Sequence, residues 1–182
     1  MLSEAMLMEI MPNLKSDLCY EYFPFLRQAM DEFEINTPLR ESAFVAQIAH
    51  ESGELRYLEE IWGPTSAQKR YEPPSKKASE LGNKLAGDGK RFKGRGAIQI
   101  TGRGNYKKFG EQLSLDLLAH PELAAQPEVA FRISALFWQE HKLNEMADKQ
   151  AFEAITRCIN GGLMGQAERL KFYHRAKALC GV

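Results

Sequence analysis

Apolar residues return at helical spacing along much of the chain. Between residues 4 and 34, Leu18, Phe25, Leu26, Ala29, Met30 and Phe33 predict helices broken near Pro12 and Pro24. The stripe reads as core packing, because Asp31, Glu32 and Glu34 on the polar side disfavour a membrane surface. Asn36-Thr37-Pro38 marks a sharper start, with Thr37 as N-cap and Pro38 at the first helical position. The run LRESAFVAQIAHES then stops near Gly53 and places Phe44, Ile48 and Glu51 on one face. A carboxylate closing an apolar stripe is either a surface residue at a frayed end or a placed acid.

Residues 63–94 break this periodicity. Gly63-Pro64, Pro73-Pro74, Gly82-Asn83, Gly87-Asp88-Gly89 and Gly94 predict loops, with one short helix around residues 75–81. So long a weakly structured stretch in a small domain points to a functional surface or a mobile lid. Ala97–Thr101 is a short strand candidate between two Gly-Arg-Gly triplets. From Ser114 onward helices return: starts at His120-Pro121 and Gln126-Pro127, an apolar helix over 128–142, another over 150–159 closed by Asn160-Gly161-Gly162, and a last over 165–179 with Leu170, Tyr173 and Leu179 inward. The 182 residues therefore suit one compact domain, spanning 1–182, large enough to bury a core.

Charge narrows the partners. Twenty-four basic and 24 acidic residues balance, which rules out a global electrostatic grip on nucleic acid or membrane. No apolar run approaches the roughly 20 residues that cross a bilayer. Glu4 and Glu9 interrupt the N-terminal stretch, so no signal peptide and a cytoplasmic start are expected. Cys19, Cys158 and Cys180 form no CxxC pair and are expected as buried or half-buried thiols.

Three groups of residues could carry chemistry. His50-Glu51-Ser52-Gly53-Glu54 has the start of a zinc HExxH motif, but Glu54 stands where the second imidazole belongs, so no metal is expected and His50 reads as a hydrogen-bonded structural imidazole. Glu51, Glu54, Glu59 and Glu60 follow closely, with Trp62 beside the last pair. Two carboxylates across a cleft are the minimal equipment for glycoside hydrolysis, one donating a proton and the other accepting one from water. Finally, Lys84–Lys108 carries eight cations against Asp88, a local charge of +7, with Phe92 and Tyr106 interleaved. That pattern suits a groove for nucleic acid or for an acidic glycan, and predicts binding that weakens with salt.

Lys90–Tyr106, KRFKGRGAIQITGRGNY, resembles the signature of family 19 glycoside hydrolases. Ala43–Gly53, AFVAQIAHESG, is similar to that family's helix bearing the catalytic acid, and ALFWQEHKLN and AITRCINGG to its later aromatic helix and Asn-Gly-Gly turn. INTPLRESAFVAQIAHESG is especially similar to the phage and prophage endolysin branch. The resemblance spans roughly residues 9–180. It implies a mainly α-helical, lysozyme-like α+β fold, with two lobes around a central substrate cleft and a small β element.

Residue by residue, the resemblance implies Glu51 as general acid, Glu60 as general base and Thr101 as the hydroxyl holding the attacking water. The adjoining Glu59 leaves the base open by one position. Gln99, Asn105, Tyr106 and Asn160 match residues that line or brace sugar subsites, Trp62 is a further candidate substrate contact, and Arg95 and Arg103 are expected to be structural. The implied activity is inverting hydrolysis of β-1,4 bonds, in peptidoglycan by the endolysin likeness or alternatively in chitin, with no cofactor. A monomer is expected, neither binding nucleic acid nor inserting stably in membrane. It would await release in the host cytoplasm and reach the periplasmic wall through a holin-type system. A non-catalytic nucleic-acid- or wall-binding module is the alternative from another class.

Overall fold

A computed structural model describes residues 1–182. Helix α1 (Glu4–Ile10) starts where the Ser3 side chain accepts a hydrogen bond from the Met6 amide, and α2 spans Ser16–Glu32. Pro24 lies inside α2 instead of ending it. The expected second break is thus absent: burial of Cys19, Leu26, Ala29 and Met30 along this helix outweighs one lost backbone hydrogen bond. Helix α3 (Pro38–Glu51) follows the sequence closely. Thr37 caps it by accepting from the Arg40 amide at 3.3 Å, and residues 41–49 are all buried. A helix enclosed on all sides is a central element, and α3 is the axis of this molecule.

The loop-rich stretch is more helical than expected. It holds α4 (Ser66–Lys69), α5 (Lys76–Glu80) and α6 (Asp88–Arg91), and α7 (Arg103–Leu113) comes next, after residues 92–102. Each of the first two starts at a side-chain cap, from Thr65 and from Ser75. Runs of four or five residues carry too little periodicity to be seen against surrounding glycines and prolines. The proposed strand at Ala97–Thr101 is not one. Residues 95 and 100 exchange backbone hydrogen bonds at 3.1 and 2.9 Å across a tight turn, and Arg95 also pairs antiparallel with Glu59. The β element is therefore two isolated bridges.

A 3-10 turn, Pro121–Ala125, leads into α8 (Pro127–Glu140). Then come α9 (Leu143–Asp148), which the sequence pattern did not announce, α10 (Phe152–Asn160) and α11 (Gln166–Cys180). One continuous apolar core links these elements, with α11 packed along α3 and α8 against α2. The Arg95–Ile100 turn docks on that core through Ile98, whose amide donates to the buried Ser134 hydroxyl of α8 at 2.9 Å. All three cysteines are free thiols, Cys19 buried and the others half-buried. No helix is long and apolar enough to cross a membrane.

Candidate active site

Glu51 ends α3, and its carboxyl is held from the side by α11. Its Oε1 is shut off from solvent and lies 2.5 Å from Nη2 of Arg169, a contact close enough for an ion pair but without the alignment of a hydrogen bond. The Arg169 side chain is 1% exposed, against 26% for Glu51, whose Oε2 makes no hydrogen bond within the protein. Arg169 is itself fixed. Its Nη1 donates to Gln47 Oε1 at 2.6 Å and its Nε to the Met164 carbonyl at 3.2 Å. Gln47, one turn before Glu51, donates in turn to Thr156 Oγ1 of α10 at 2.9 Å. A buried guanidinium needs such a set of acceptors.

The neighbouring imidazole is braced by the same helix. His50 Nδ1 meets Glu168 Oε2 at 2.5 Å, as the sequence reading of a bonded imidazole expects. Gly165 lets α11 come this close, since a Cβ there would lie 2.2 Å from the His50 ring. Glu54 is occupied elsewhere, accepting from the amide and the side chain of Asn13, each at 2.7 Å.

Glu60 stands on the bridged segment. Its Oε2 accepts from the Gly94 amide at 2.9 Å, and its Oε1 from Gln68 Nε2 at 2.9 Å and the Tyr71 hydroxyl at 3.4 Å. Gly94 is required for the fit, because a Cβ would fall 2.3 Å from Gln99 Oε1 and 3.3 Å from Glu60 Oε2. Burial pushes the Tyr71 hydroxyl above its usual range, and the Glu60 charge pushes it further. Gln68 is the hinge of the arrangement. It closes the α4 capping box by accepting from the Thr65 amide, and its Nε2 donates to the Ile61 carbonyl as well as to Glu60.

Glu59 has a different environment. Its carboxylate meets Lys93 Nζ at 3.0 Å and Arg95 Nε at 3.1 Å. Burial works to raise its pKa, but the Lys93 hydrogen bond and the charges of Arg95 and Lys93 bring it below the usual carboxylate range. Thr101, Gln99 and Asn105 line one cavity of about 390 Å³. Asn105 Nδ2 donates to the Thr101 carbonyl at 2.8 Å, while the Thr101 hydroxyl has no partner in the protein. Trp62 is half-buried and tilted against Tyr71, with ring centroids 6.2 Å apart. Asn160 is exposed at the last position of α10, just before the link to α11.

Two expectations are corrected here. Tyr106 does not contact substrate and is left only the bracing role, because it is fully buried; its hydroxyl donates to the Lys93 carbonyl at 2.6 Å and accepts from Arg95 Nη1 at 2.9 Å. Burial drives that hydroxyl up to about 12. It braces the turn that carries Gly94, and Arg95 serves the same structural end. The basic segment is also not a free cationic groove. Lys93, Arg95, Arg103, Lys107 and Lys108 are ion-paired with Glu59, Asp88, Glu111 and Glu140, and Arg91 donates to the carbonyls of Leu118 and Ala119. Phe92 is as buried as Tyr106 and stacks edge-on against it at 5.2 Å.

These geometries coincide with a known family. Its sequence profile, described as Chitinase class I, matches residues 23–156. The chain belongs to glycoside hydrolase family 19. A family 19 domain-containing protein of Haemophilus influenzae is 33% identical over 159 residues, covering 74% of this chain and 77% of that protein. An Arabidopsis thaliana endochitinase is 40% identical over 122 residues, which cover 66% of this chain and 39% of the plant protein. The chain thus spans well under half of that family 19 relative. Among solved structures, a bacterial family 19 chitinase superposes with a TM-score of 0.74 at 26% identity, covering 99% of this chain and 95% of that one. The helical, lysozyme-like family 19 architecture is therefore the fold of this chain.

Arg169, Gln47, Gln68, Tyr71 and Glu168 were not singled out from sequence. Gln47 had a signal, as a polar residue one turn before Glu51 in an apolar run. Gln68 had another, three residues after Thr65 in a capping-box pattern. Arg169 had none, since it is one of several cations on α11.

Proposed function

We propose that this family 19 glycosidase hydrolyses β-1,4 bonds of bacterial peptidoglycan by single displacement with inversion. One observation carries the reading: two carboxylates on separate elements have complementary environments. Glu51 Oε2 is free of partners in the protein and is the oxygen that can give a proton, and Arg169 beside Oε1 stabilises the carboxylate left once the proton has gone. Glu60 receives three donors, as suits a carboxylate that accepts a proton. In the reaction Glu51 Oε2 gives its proton to the glycosidic oxygen as the C1–O bond breaks. A water held by the Thr101 hydroxyl attacks C1 from the opposite face and loses its proton to Glu60. Gln99, Asn105, Trp62 and Asn160 orient the glycan.

The preference for peptidoglycan rests on the endolysin-like run before Gly53. A lytic enzyme released by a holin-type system would follow from it. Chitin is the second reading, favoured by the names of the plant and bacterial relatives. The deciding experiment digests purified sacculi and chitin oligomers in parallel and records product masses and anomeric configuration. New reducing ends from sacculi, formed first as the α-anomer, are expected. Cleavage of chitin alone would replace the substrate, and cleavage of neither would overturn the reading.

A further inference from the structure

A cavity of about 490 Å³ opens where the link between α1 and α2 meets the chain leaving α3. Asn13, Lys15, Gly53, Glu54, Arg56 and Tyr57 line it, and no step of the proposed reaction uses them. Its wall is held firmly. Gly53, Glu54 and Leu55 have φ of +58°, +60° and +63°, three left-handed residues in a row, two of which carry a Cβ. Such backbone is costly for any residue but glycine and persists only where its surroundings impose it. Here Asn13 imposes it, because its amide and its side chain both donate to the Glu54 carboxylate at 2.7 Å. The amide of buried Leu55 donates to Ser52 Oγ at 2.8 Å, and that of Tyr57 to the Ser52 carbonyl at 2.9 Å. Arg56 and Tyr57 are thereby turned to the surface together, the guanidinium 5.3 Å from the ring centre.

Glu54 is the only acid in this lining, and both its oxygens are taken by Asn13. Lys15 and Arg56 are exposed and make no hydrogen bond or ion pair within the protein. Two free cations over a preformed concavity suit carboxylates, which a guanidinium meets with two parallel N–H donors and an ammonium as a point charge. A neutral sugar chain offers them no charged partner. The position of the cavity narrows the source. Gly53 follows Glu51 by two residues, so their Cα atoms are at most about 7.6 Å apart. In peptidoglycan, alternate sugars carry a short peptide with free carboxylates, and four or five extended residues reach about 13–18 Å. Chitin carries no such peptide. We propose that Lys15 and Arg56 bind the carboxylates of the peptide borne by a sugar beside the cleaved bond, with the Tyr57 ring against its apolar atoms. This site rests on the peptidoglycan reading above and deepens it: the enzyme recognises the peptide as well as the glycan.

The test compares two soluble substrates: uncross-linked glycan strands bearing their peptides, and the same strands stripped of peptide by an amidase. Lys15→Ala/Arg56→Ala should raise KM about 10-fold on the peptide-bearing strands with kcat unchanged, and should leave KM on stripped strands within about 2-fold. Lys15→Arg/Arg56→Lys keeps both charges and should recover most of the loss. Lys149→Ala/Lys171→Ala removes two exposed cations outside the cavity and should match the parent on both substrates. Thermal melts confirm that all three variants fold. An unchanged KM in Lys15→Ala/Arg56→Ala, or a rise equal on both substrates or equal in Lys149→Ala/Lys171→Ala, overturns the peptide site while leaving glycan hydrolysis in place. A parent that cuts neither kind of strand overturns the site and the peptidoglycan reading together.

Discussion

At the scale of single residues, adjacent glutamates have unlike tasks. Glu59 is spent on Lys93 and Arg95, whereas Glu60 faces Gly94, Gln68 and Tyr71. Glu60→Gln should therefore abolish turnover with little change in melting temperature. Glu59→Gln should keep turnover and cost about 1 kcal/mol or less, because Glu59 itself is partly solvated and Arg95 keeps its other acceptors. Reversed effects would move the base by one position. Glu51→Gln keeps the shape of the acid without its proton and should lower kcat by about 10²–10⁴ with folding intact; wild-type clearing of a cell-wall suspension would exclude Glu51 as the acid. Thr101 poses a sharper choice. If its unpartnered hydroxyl holds the water, Thr101→Ser stays active and Thr101→Val, equal in shape, loses rate. An active valine variant would reduce Thr101 to packing. The sequence could name these residues because each lies inside a contiguous motif.

Between elements the sequence was less informative, for a physical reason. Thr37-Pro38 fixed the start of α3, and periodicity placed α8, α10 and α11, because caps and apolar stripes are local. Pro24 misled, since the burial that keeps α2 continuous is tertiary. The Ala97–Thr101 run reads as a strand by composition, yet only Ile100 in it is bridged, to Arg95. The charge of Lys84–Lys108 misled in the same way: its counter-ions Glu59 and Glu140 lie far off in sequence. Arg169 and Gln68 belong to this scale, since each ties a catalytic candidate to another helix. Gln68→Leu removes both the α4 box and the hold on Glu60. A loss of about 1 kcal/mol is expected from the cap, together with a fall in kcat larger than any rise in KM. Unchanged kcat in a destabilised variant would make Gln68 purely structural.

For the whole molecule, the depressed carboxylates set the response to acid. Asp88 is the strongest case. It is 2% exposed, its oxygens accept from Arg103 at 2.7 and 2.8 Å, and one also accepts the amides of Lys84 and Leu85. The Arg103 hydrogen bonds outweigh burial and hold its carboxyl far below the ordinary aspartate value of 3.8. Glu59, Glu140 and Asp148 are lowered too: for the two glutamates burial raises the pKa but their cation partners prevail, and for Asp148 the Arg40 hydrogen bond leads. A carboxylate lowered in the folded state binds protons more readily when unfolded. Its stabilisation is therefore complete above the unfolded value and drains away as pH falls toward the folded one. Melting temperature should stay nearly level as pH drops toward 4.5, the ordinary glutamate value, and fall steadily below it. Asp88→Asn should cost about 2–4 kcal/mol at neutral pH, because Arg103 loses its counter-ion and the one oxygen left cannot serve both Arg103 and the amides of Lys84 and Leu85 as the two carboxylate oxygens do. The same variant should show a shallower loss below pH 4, since its largest titrating contribution is gone. Salt separates the contributions: Asp148 is 40% exposed and Glu140 pairs with the exposed Lys108, so both are screened, while the Asp88 carboxylate is 2% exposed and is screened less. Melts of both proteins at low and high salt across this range decide the matter. Parallel acid slopes in wild type and Asp88→Asn would show that the acid response lies in the other carboxylates.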